Sequence, residues 1–182
     1  MGVLPDDLVV KHVQQVPSDF HARHSSVGKR YRYLVCNLPY RSPFSRNKSW
    51  WVRKSLNLEA IREASSYLMG KHDFSAFRAA ACSSPNPNKD LREILCDVKP
   101  WLHANLCFEL EADSFLQHMV RIMVGTLVQV GTGKLKPEQM KGILESRDRT
   151  QAGLTAPAHG LYALAVRYPE DRIEWPDELM DS

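Results

Sequence analysis

The chain has 182 residues, of which 43% are hydrophobic and 25% charged, and this composition is typical of one globular domain with a sizeable core. A net charge of +3 permits an anionic partner without demanding one. No run approaches the roughly 20 apolar residues of a membrane span. The four cysteines form no Cys-x-x-Cys pair, so neither a zinc site nor a redox motif is indicated.

The first half of the chain predicts two strands and a helix. Residues 8–13 are rich in β-formers, and residues 29–36 alternate, with Tyr31, Tyr33 and Val35 on one face. Asn57 is a suitable N-cap for a helix over 58–69 that Gly70 would end.

The second half predicts a hairpin, two helices and a last strand. Residues 92–98, with Val98 among the inward positions, and 105–111 are expected to pair antiparallel. A long helix over 114–131 follows, then a short one opened by Pro137, then a strand over 162–168. Because strands and helices come in clumps, we expect an α+β fold with an antiparallel sheet and helices on one face. Residues 1–168 form the predicted domain, and 169–182 an acidic tail.

The predicted helix over 114–131 carries a single full charge, Arg121. Ser114 and Gln117 have the spacing of a capping box. A guanidinium beside so apolar a surface favours an anionic partner, although the sequence equally allows it to point at water. Gly125, one turn further, costs the helix about 1 kcal/mol relative to alanine, which suggests a close approach there.

The segment 21–54 is basic and rich in aromatic residues. It holds nine lysines and arginines and no acidic residue. Such a segment is typical of a surface that faces a polyanion, and a solvated basic face is the alternative. Tyr31, between Arg30 and Arg32, could stack on a base while the arginines hold phosphates, or it could be a core-facing strand tyrosine.

Familiar catalytic motifs are missing from the sequence. It contains no Gly-x-Ser-x-Gly nucleophile elbow and no Gly-x-x-x-x-Gly-Lys phosphate loop. Asp73 and Asp113 lie next to apolar sequence, but their positions indicate turn or cap residues.

Five short motifs span nearly the whole chain. They are Phe-His-Ala-Arg at 20–23, Lys-Arg-Tyr-Arg-Tyr at 29–33, Gly-x-His-Asp-Phe-Ser-Ala-Phe-Arg at 70–78, Phe-Leu-x-His-Met-Val-Arg at 115–121 with Val-Gly at 124–125, and Ala-Pro-Ala-x-Gly-Leu-Tyr at 156–162. In this order they resemble the tRNA pseudouridine synthase A family. The resemblance implies a pseudouridine-synthase-like fold and isomerisation of uridine at tRNA positions 38–40, in the anticodon stem-loop. It also implies a cytoplasmic homodimer that binds tRNA across both subunits and uses no metal or cofactor.

The resemblance also implies roles for single residues. Tyr31 resembles the family's active-site tyrosine that stacks on the target uracil, and Arg121 the arginine that pairs with the catalytic aspartate. Leu161 resembles an apolar residue that packs near the base. Phosphate or structural contacts are implied, less specifically, for four further arginines: Arg23, Arg30, Arg32 and Arg78.

One departure from the family concerns the nucleophile. The family's aspartate lies in a Gly-Arg-Thr-Asp-Ala-Gly-Val-His loop, and these 182 residues contain no such run. In the family, that loop lies N-terminal to the segment that corresponds to residues 4–7 of this chain. We therefore expect the chain to match the C-terminal portion of a synthase. A non-catalytic tRNA-binding paralogue or fragment is the alternative. An enzyme that takes its carboxylate from Asp73 or Asp113 is a third.

Overall fold

The computed structural model describes residues 4–101 and 104–169, with the side chains of 99–101 left out. Val27–Arg167 form one compact unit. Residues 4–26 belong with 168 and 169 to a second unit. The predicted acidic tail lies outside the described residues apart from Pro169, so the division at 168 stays a prediction.

A six-stranded sheet forms the framework of the larger unit. Its strands are β1 Gly28–Cys36, β2 Trp50–Trp51, β3 Gly70–Asp73, β4 Asn88–Trp101, β5 Ala104–Ala112 and β6 Leu161–Arg167. The order is β2-β1-β5-β4-β3, and β6 pairs with β1 as well. Among the described residues β1 and β2 run parallel, and the other pairs are antiparallel. The predicted α+β class is confirmed, and the short parallel strand β2 makes the sheet mixed.

Three helices pack on one face of this sheet: α1 Leu58–Ser66, α2 Met119–Gly131 and α3 Gln139–Ser146. The predicted cap of α1 is confirmed, since the Asn57 side chain accepts a hydrogen bond from the backbone N–H of Ala60 at 3.1 Å. Within 4–101 and 104–169 no helix has the length and apolarity to cross a bilayer.

The alternation predicted for β1 is confirmed and separates two environments. Tyr33 and Val35 are fully buried against the helices. Arg30 and Arg32 lie on the opposite face, where each donates to the Glu109 carboxylate, with shortest distances of 2.7 Å. Glu109 is only 7% exposed, so two cations share one nearly buried anion. This ion-pair cluster joins β1 to β5 on the face away from the helices.

The long helix begins later than the sequence predicted. It starts at Met119; residues 114–116 are irregular and 117–118 form a turn. The Asp113 carboxylate accepts the backbone N–H and the hydroxyl of Ser114, which replaces the predicted capping box. His118 then adopts a left-handed φ of 62°, which ends the turn before the helix begins.

Two predictions about strands are wrong. Residues 8–13 form no strand in the described part of the chain, and Val9 is exposed there. High β-propensity does not make a strand without a neighbour to pair with. Val98, predicted to face the core, is 61% exposed, although its register partner Leu106 is buried.

Gly125 marks the close approach that its position predicted. A Cβ built on Gly125 would lie 1.9 Å from the carbonyl oxygen of Leu154. The chain around Leu154 can therefore lie directly against α2 because this helix position has no side chain. Ala156, two residues further, donates its backbone N–H to the Arg121 carbonyl at 3.1 Å.

Replacing Gly125 with alanine should destabilise the protein by about 2 kcal/mol, because the methyl group overlaps a backbone atom that cannot rotate away. Gly142→Ala in α3 is the matched control, since nothing lies within 4 Å of that Cβ position. The Gly142→Ala variant should be more stable than the wild type by about 0.8 kcal/mol, because alanine has a higher helix propensity than glycine. Urea unfolding of both variants measures the contrast, and an equally well tolerated Gly125→Ala would contradict the close contact.

The Glu109 cluster should make stability fall in acid. Burial alone would raise the pKa of Glu109, but hydrogen bonds from Arg32 and Arg30 outweigh it and hold that pKa below its ordinary value. A depressed folded-state pKa gives stability that is present above the unfolded value of about 4.3. That stability is lost as the pH falls through the folded value.

Glu109→Gln should therefore cost about 2 kcal/mol at neutral pH, because it removes the carboxylate that Arg30 and Arg32 share, while Arg30 keeps Glu93 at 3.1 Å and Glu111 at 3.6 Å. The cost should shrink as the pH is lowered through the folded-state pKa of Glu109. Glu145→Gln, at an exposed helix pair with Lys141, should change stability by less than about 0.5 kcal/mol. Denaturant midpoints across the pH range measure both, and a pH-independent cost of Glu109→Gln would count against the cluster.

Candidate functional site

Arg121 is held in place by the chain that crosses α2. Its Nε donates to the carbonyl oxygen of Ala156 at 2.7 Å, and the Ala156 N–H returns a bond to the Arg121 carbonyl. The side chain is half-buried. These two bonds fix both the backbone and the guanidinium of Arg121 to the segment 154–160, which we call the crossing segment.

The guanidinium of Arg121 keeps unused hydrogen-bonding capacity. An arginine has five N–H donors, and one of them serves Ala156. In residues 4–101 and 104–169 no carboxylate forms an ion pair with Arg121. Of the two alternatives that the sequence left open, an anionic partner within this part of the chain is therefore not found.

Tyr33 lies at the centre of the site, although its sequence pattern indicates only one face of a strand. Its hydroxyl donates to the carbonyl oxygen of Pro157 at 2.7 Å, and a Cβ on Gly160 would lie 2.7 Å from the ring. Burial raises the pKa of Tyr33, and the charge of Arg121 offsets only part of that rise. The hydroxyl therefore stays protonated and can keep donating to the crossing segment. No local pattern distinguishes Tyr33 from an ordinary core residue; its partners lie more than 120 residues away.

Tyr31 lies two residues before Tyr33 on the same face of β1. Its ring meets the Phe115 ring edge-on, with centroids 5.2 Å apart and planes at 89°. The side chain is half-buried and packs against the edge of the core. Tyr31 is thus neither fully buried nor fully exposed, so both sequence hypotheses stay open.

Leu161 is brought to the same place by β6. It lies directly opposite Tyr33 in the antiparallel pairing of β1 with β6. Like Tyr31, it is half-buried and packs against the main core. The structure therefore gathers Tyr31, Arg121 and Leu161 around Tyr33, and we call these four residues the Tyr33 cluster.

Two of the other predicted arginines lie on the opposite face of the sheet from Tyr31. Arg30 and Arg32 point away from Tyr31 and bind Glu109 on the opposite face of the sheet. Arg78 follows the turn after β3, and the N–H of its neighbour Ala79 donates to the Gln117 carbonyl at 3.0 Å. Arg23 belongs to the smaller unit, where its backbone N–H donates to Nδ1 of His21 at 3.2 Å.

Asp73 and Asp113 both have structural partners. Asp73 accepts the backbone N–H of Ser75 at 2.9 Å and pairs with Arg147 at 3.3 Å. Burial alone would raise the pKa of Asp73, but the bonds from Ser75 and then the charges of Arg147 and Arg78 hold it below its ordinary value. Asp113 accepts the backbone N–H of Asp90 at 3.2 Å. Both carboxylates thus hold turns or loops, and neither is paired with Arg121.

Comparison with known proteins identifies relatives along most of the chain. A family model described as tRNA pseudouridine synthase matches residues 64–169, which include α2, the crossing segment and β6. tRNA pseudouridine synthase A of Acetivibrio thermocellus is 43% identical over 166 residues, covering 91% of this chain and 67% of the relative.

Two further relatives extend the match towards both ends of the chain. The protein of the same name from Syntrophotalea carbinolica is 42% identical over 173 residues, covering 94% of this chain and 67% of the relative. The Hydrogenovibrio crunogenus protein is 39% identical over 179 residues, or 98% of this chain and 66% of the relative. The chain thus spans about two thirds of the length of these relatives, and it belongs to the tRNA pseudouridine synthase A family.

Proposed function

We propose that this chain forms the uracil-binding part of a tRNA pseudouridine synthase site that acts at positions 38–40 of the anticodon stem-loop. The observation that carries the proposal is the hydrogen bonding of the Arg121 guanidinium. The crossing segment fixes the guanidinium through Nε, while its remaining donors have no carboxylate partner among the described residues. A preorganised cation of this kind suits an anion that arrives with another part of the protein.

The anion that fits this role is the nucleophilic aspartate of the family. Its characteristic loop is missing from these 182 residues, so we propose that the aspartate is supplied from outside them. Arg121 would keep that carboxylate ionised, because a neighbouring cation favours the charged form. In the overall isomerisation the bond from the ribose to N1 of uracil breaks and a bond to C5 forms. The proton lost from C5 is balanced by one gained at N1.

Tyr31 would bind the uracil during this exchange. A target nucleotide must leave its stack, at a cost of a few kcal/mol. The half-buried Tyr31 ring, which meets the Phe115 ring edge-on, offers a surface on which the base could stack. Leu161, at the start of β6, would line the same uracil-binding position. Phosphate contacts remain a proposal for Arg23 and Arg78, whereas Arg30 and Arg32 are better suited to a structural role with Glu109.

The same proposal covers the oligomeric state, the cellular location and the need for a cofactor. A cytoplasmic homodimer with tRNA bound across both subunits, and chemistry without metal or cofactor, are what membership of the family leads us to expect. A chain that binds tRNA without modifying it is the second candidate. The observation that favours it is the missing aspartate loop, because binding surfaces do not depend on that carboxylate.

Arg121→Ala tests the proposed role in a form of the protein that carries the family's aspartate loop. Loss of a preorganised charge contact should lower kcat about 10²- to 10³-fold. The dissociation constant for tRNA should change by less than about threefold, since Arg121 faces the carboxylate and not the phosphates. Pseudouridine formation and filter binding measure the two quantities separately.

Arg121→Lys is the matched control, because it keeps the positive charge but removes the planar donor to Ala156. It should retain more turnover than the alanine variant if charge is the main contribution. Thermal unfolding of each variant reports whether the crossing segment is still held. Unchanged kcat in a folded Arg121→Ala protein would overturn the assignment.

A further inference from the structure

A cavity borders the crossing segment at Pro157, the residue whose carbonyl accepts the Tyr33 hydroxyl. It encloses about 470 Å³ and is lined mainly by residues 41–51, with Pro157 and His159 as the opposite wall. We call it the Arg41 pocket. Pro157 adjoins Ala156, the residue that holds Arg121. The Arg41 pocket and the Tyr33 cluster therefore border the same stretch of backbone. The volume is within the usual range for a bound small molecule or nucleotide.

The walls of the Arg41 pocket are fixed to each other by hydrogen bonds. The His159 ring nitrogen Nε2 lies 3.1 Å from the Ser49 carbonyl oxygen. The Tyr162 hydroxyl donates to the Lys48 carbonyl at 2.7 Å. These bonds join the loop between β1 and β2 to the start of β6, so the cavity is preorganised and does not have to form around a ligand.

The pocket carries positive charge that the described residues do not neutralise. Arg41 and Arg46 both line it and form no ion pair within residues 4–101 and 104–169. The Arg41 guanidinium lies over the Trp51 ring, 4.8 Å from its centroid, so it is positioned by a cation–π contact and not by a carboxylate. Arg30 and Arg32 differ in this respect, because both form an ion pair with Glu109. Two guanidinium groups that line one cavity without a carboxylate partner, one of them positioned by a ring, favour a phosphate ligand.

Two exposed aromatic rings stand beside these arginines in the chain. Phe44 is 74% exposed and Tyr40 is 69% exposed. Rings left in water beside unpaired arginines are the combination that binds single-stranded nucleic acid, because every base can stack on a ring while its phosphate meets a cation. A purely anionic ligand would make no use of these rings.

We propose that the Arg41 pocket binds the phosphate of one nucleotide of a single-stranded RNA segment through Arg41 and Arg46, while the base stacks outside the pocket lining on the exposed ring of Phe44. The inference rests on the proposed RNA substrate of the Tyr33 cluster. It adds a second binding position on the same strand, beyond the target uridine. Because the crossing segment borders both sites, a nucleotide held by its phosphate in the pocket would fix the strand next to Arg121.

The test measures binding, which needs no turnover. The 182-residue chain is titrated with a fluorescein-labelled single-stranded oligouridylate and, separately, with an unmodified tRNA transcript. The Arg41→Gln/Arg46→Gln double variant is compared with Arg62→Gln, which removes an arginine on α1 that is paired with Asp97. Both changes affect exposed side chains, and thermal unfolding checks that each protein remains folded.

The proposal expects the double variant to bind both RNAs about tenfold more weakly at low salt, and Arg62→Gln to bind them nearly as wild type does. The slope of log affinity against log salt should fall by about 0.7 for each phosphate that the variant no longer neutralises. Phe44→Leu, which keeps an apolar side chain but removes the ring, should weaken oligouridylate binding about fivefold.

Three results would overturn the proposal: wild-type affinity in the double variant, equally weakened binding in the double variant and Arg62→Gln, or no binding of oligouridylate to the wild-type chain. Competition by polyglutamate as strong as that by RNA of equal charge would also overturn the nucleotide assignment, because it would show a general anion surface. A protein that binds through Arg41 and Arg46 but whose form with the aspartate loop makes no pseudouridine would support the pocket and contradict the proposed function.

Discussion

The contact between α2 and the crossing segment is the constraint on which the site depends. Gly125 lets the Leu154 carbonyl approach the helix, and Ala156 then exchanges two hydrogen bonds with Arg121. Tyr33 holds the next residue, Pro157, from the sheet. A helix, a strand and an irregular segment are thereby joined at one place, and β6 enters the sheet directly afterwards with Leu161. A side chain at position 125 would disturb all of these relations together.

Arginines of two physical classes occur in the described part of the chain. Arg30 and Arg32 are satisfied by Glu109 on the face of the sheet away from the helices, where they contribute to stability. Arg121, Arg41 and Arg46 have no carboxylate partner in the part of the chain that the structure describes, yet a carbonyl fixes Arg121 and a ring fixes Arg41. Cations that are positioned but not neutralised are suited to binding an anionic ligand. The proposed function and the proposed pocket both draw on this second class.

The sequence predicted what local pattern controls, and it was less successful where distant contacts decide. The alternation of β1 and the Asn57 cap follow from short-range patterns, and both are confirmed. The start of α2 was misplaced because Asp113 binds Ser114 and His118 turns left-handed, which no helical wheel reveals. Gly125 did signal a close approach, but its partner Leu154 could not be named. Tyr33 was missed as the centre of the site because its partners are far along the chain.

The most direct measurement incubates the 182-residue chain with an unmodified tRNA transcript, scoring retention of tRNA on a filter and pseudouridine by chemical-adduct primer extension. We expect the tRNA to be bound and no pseudouridine to form, because these 182 residues lack the family's aspartate loop. Pseudouridine made by this chain alone would contradict that expectation. It would require a carboxylate within the 182 residues, such as Asp73 or Asp113, to leave its structural partners and act as the nucleophile.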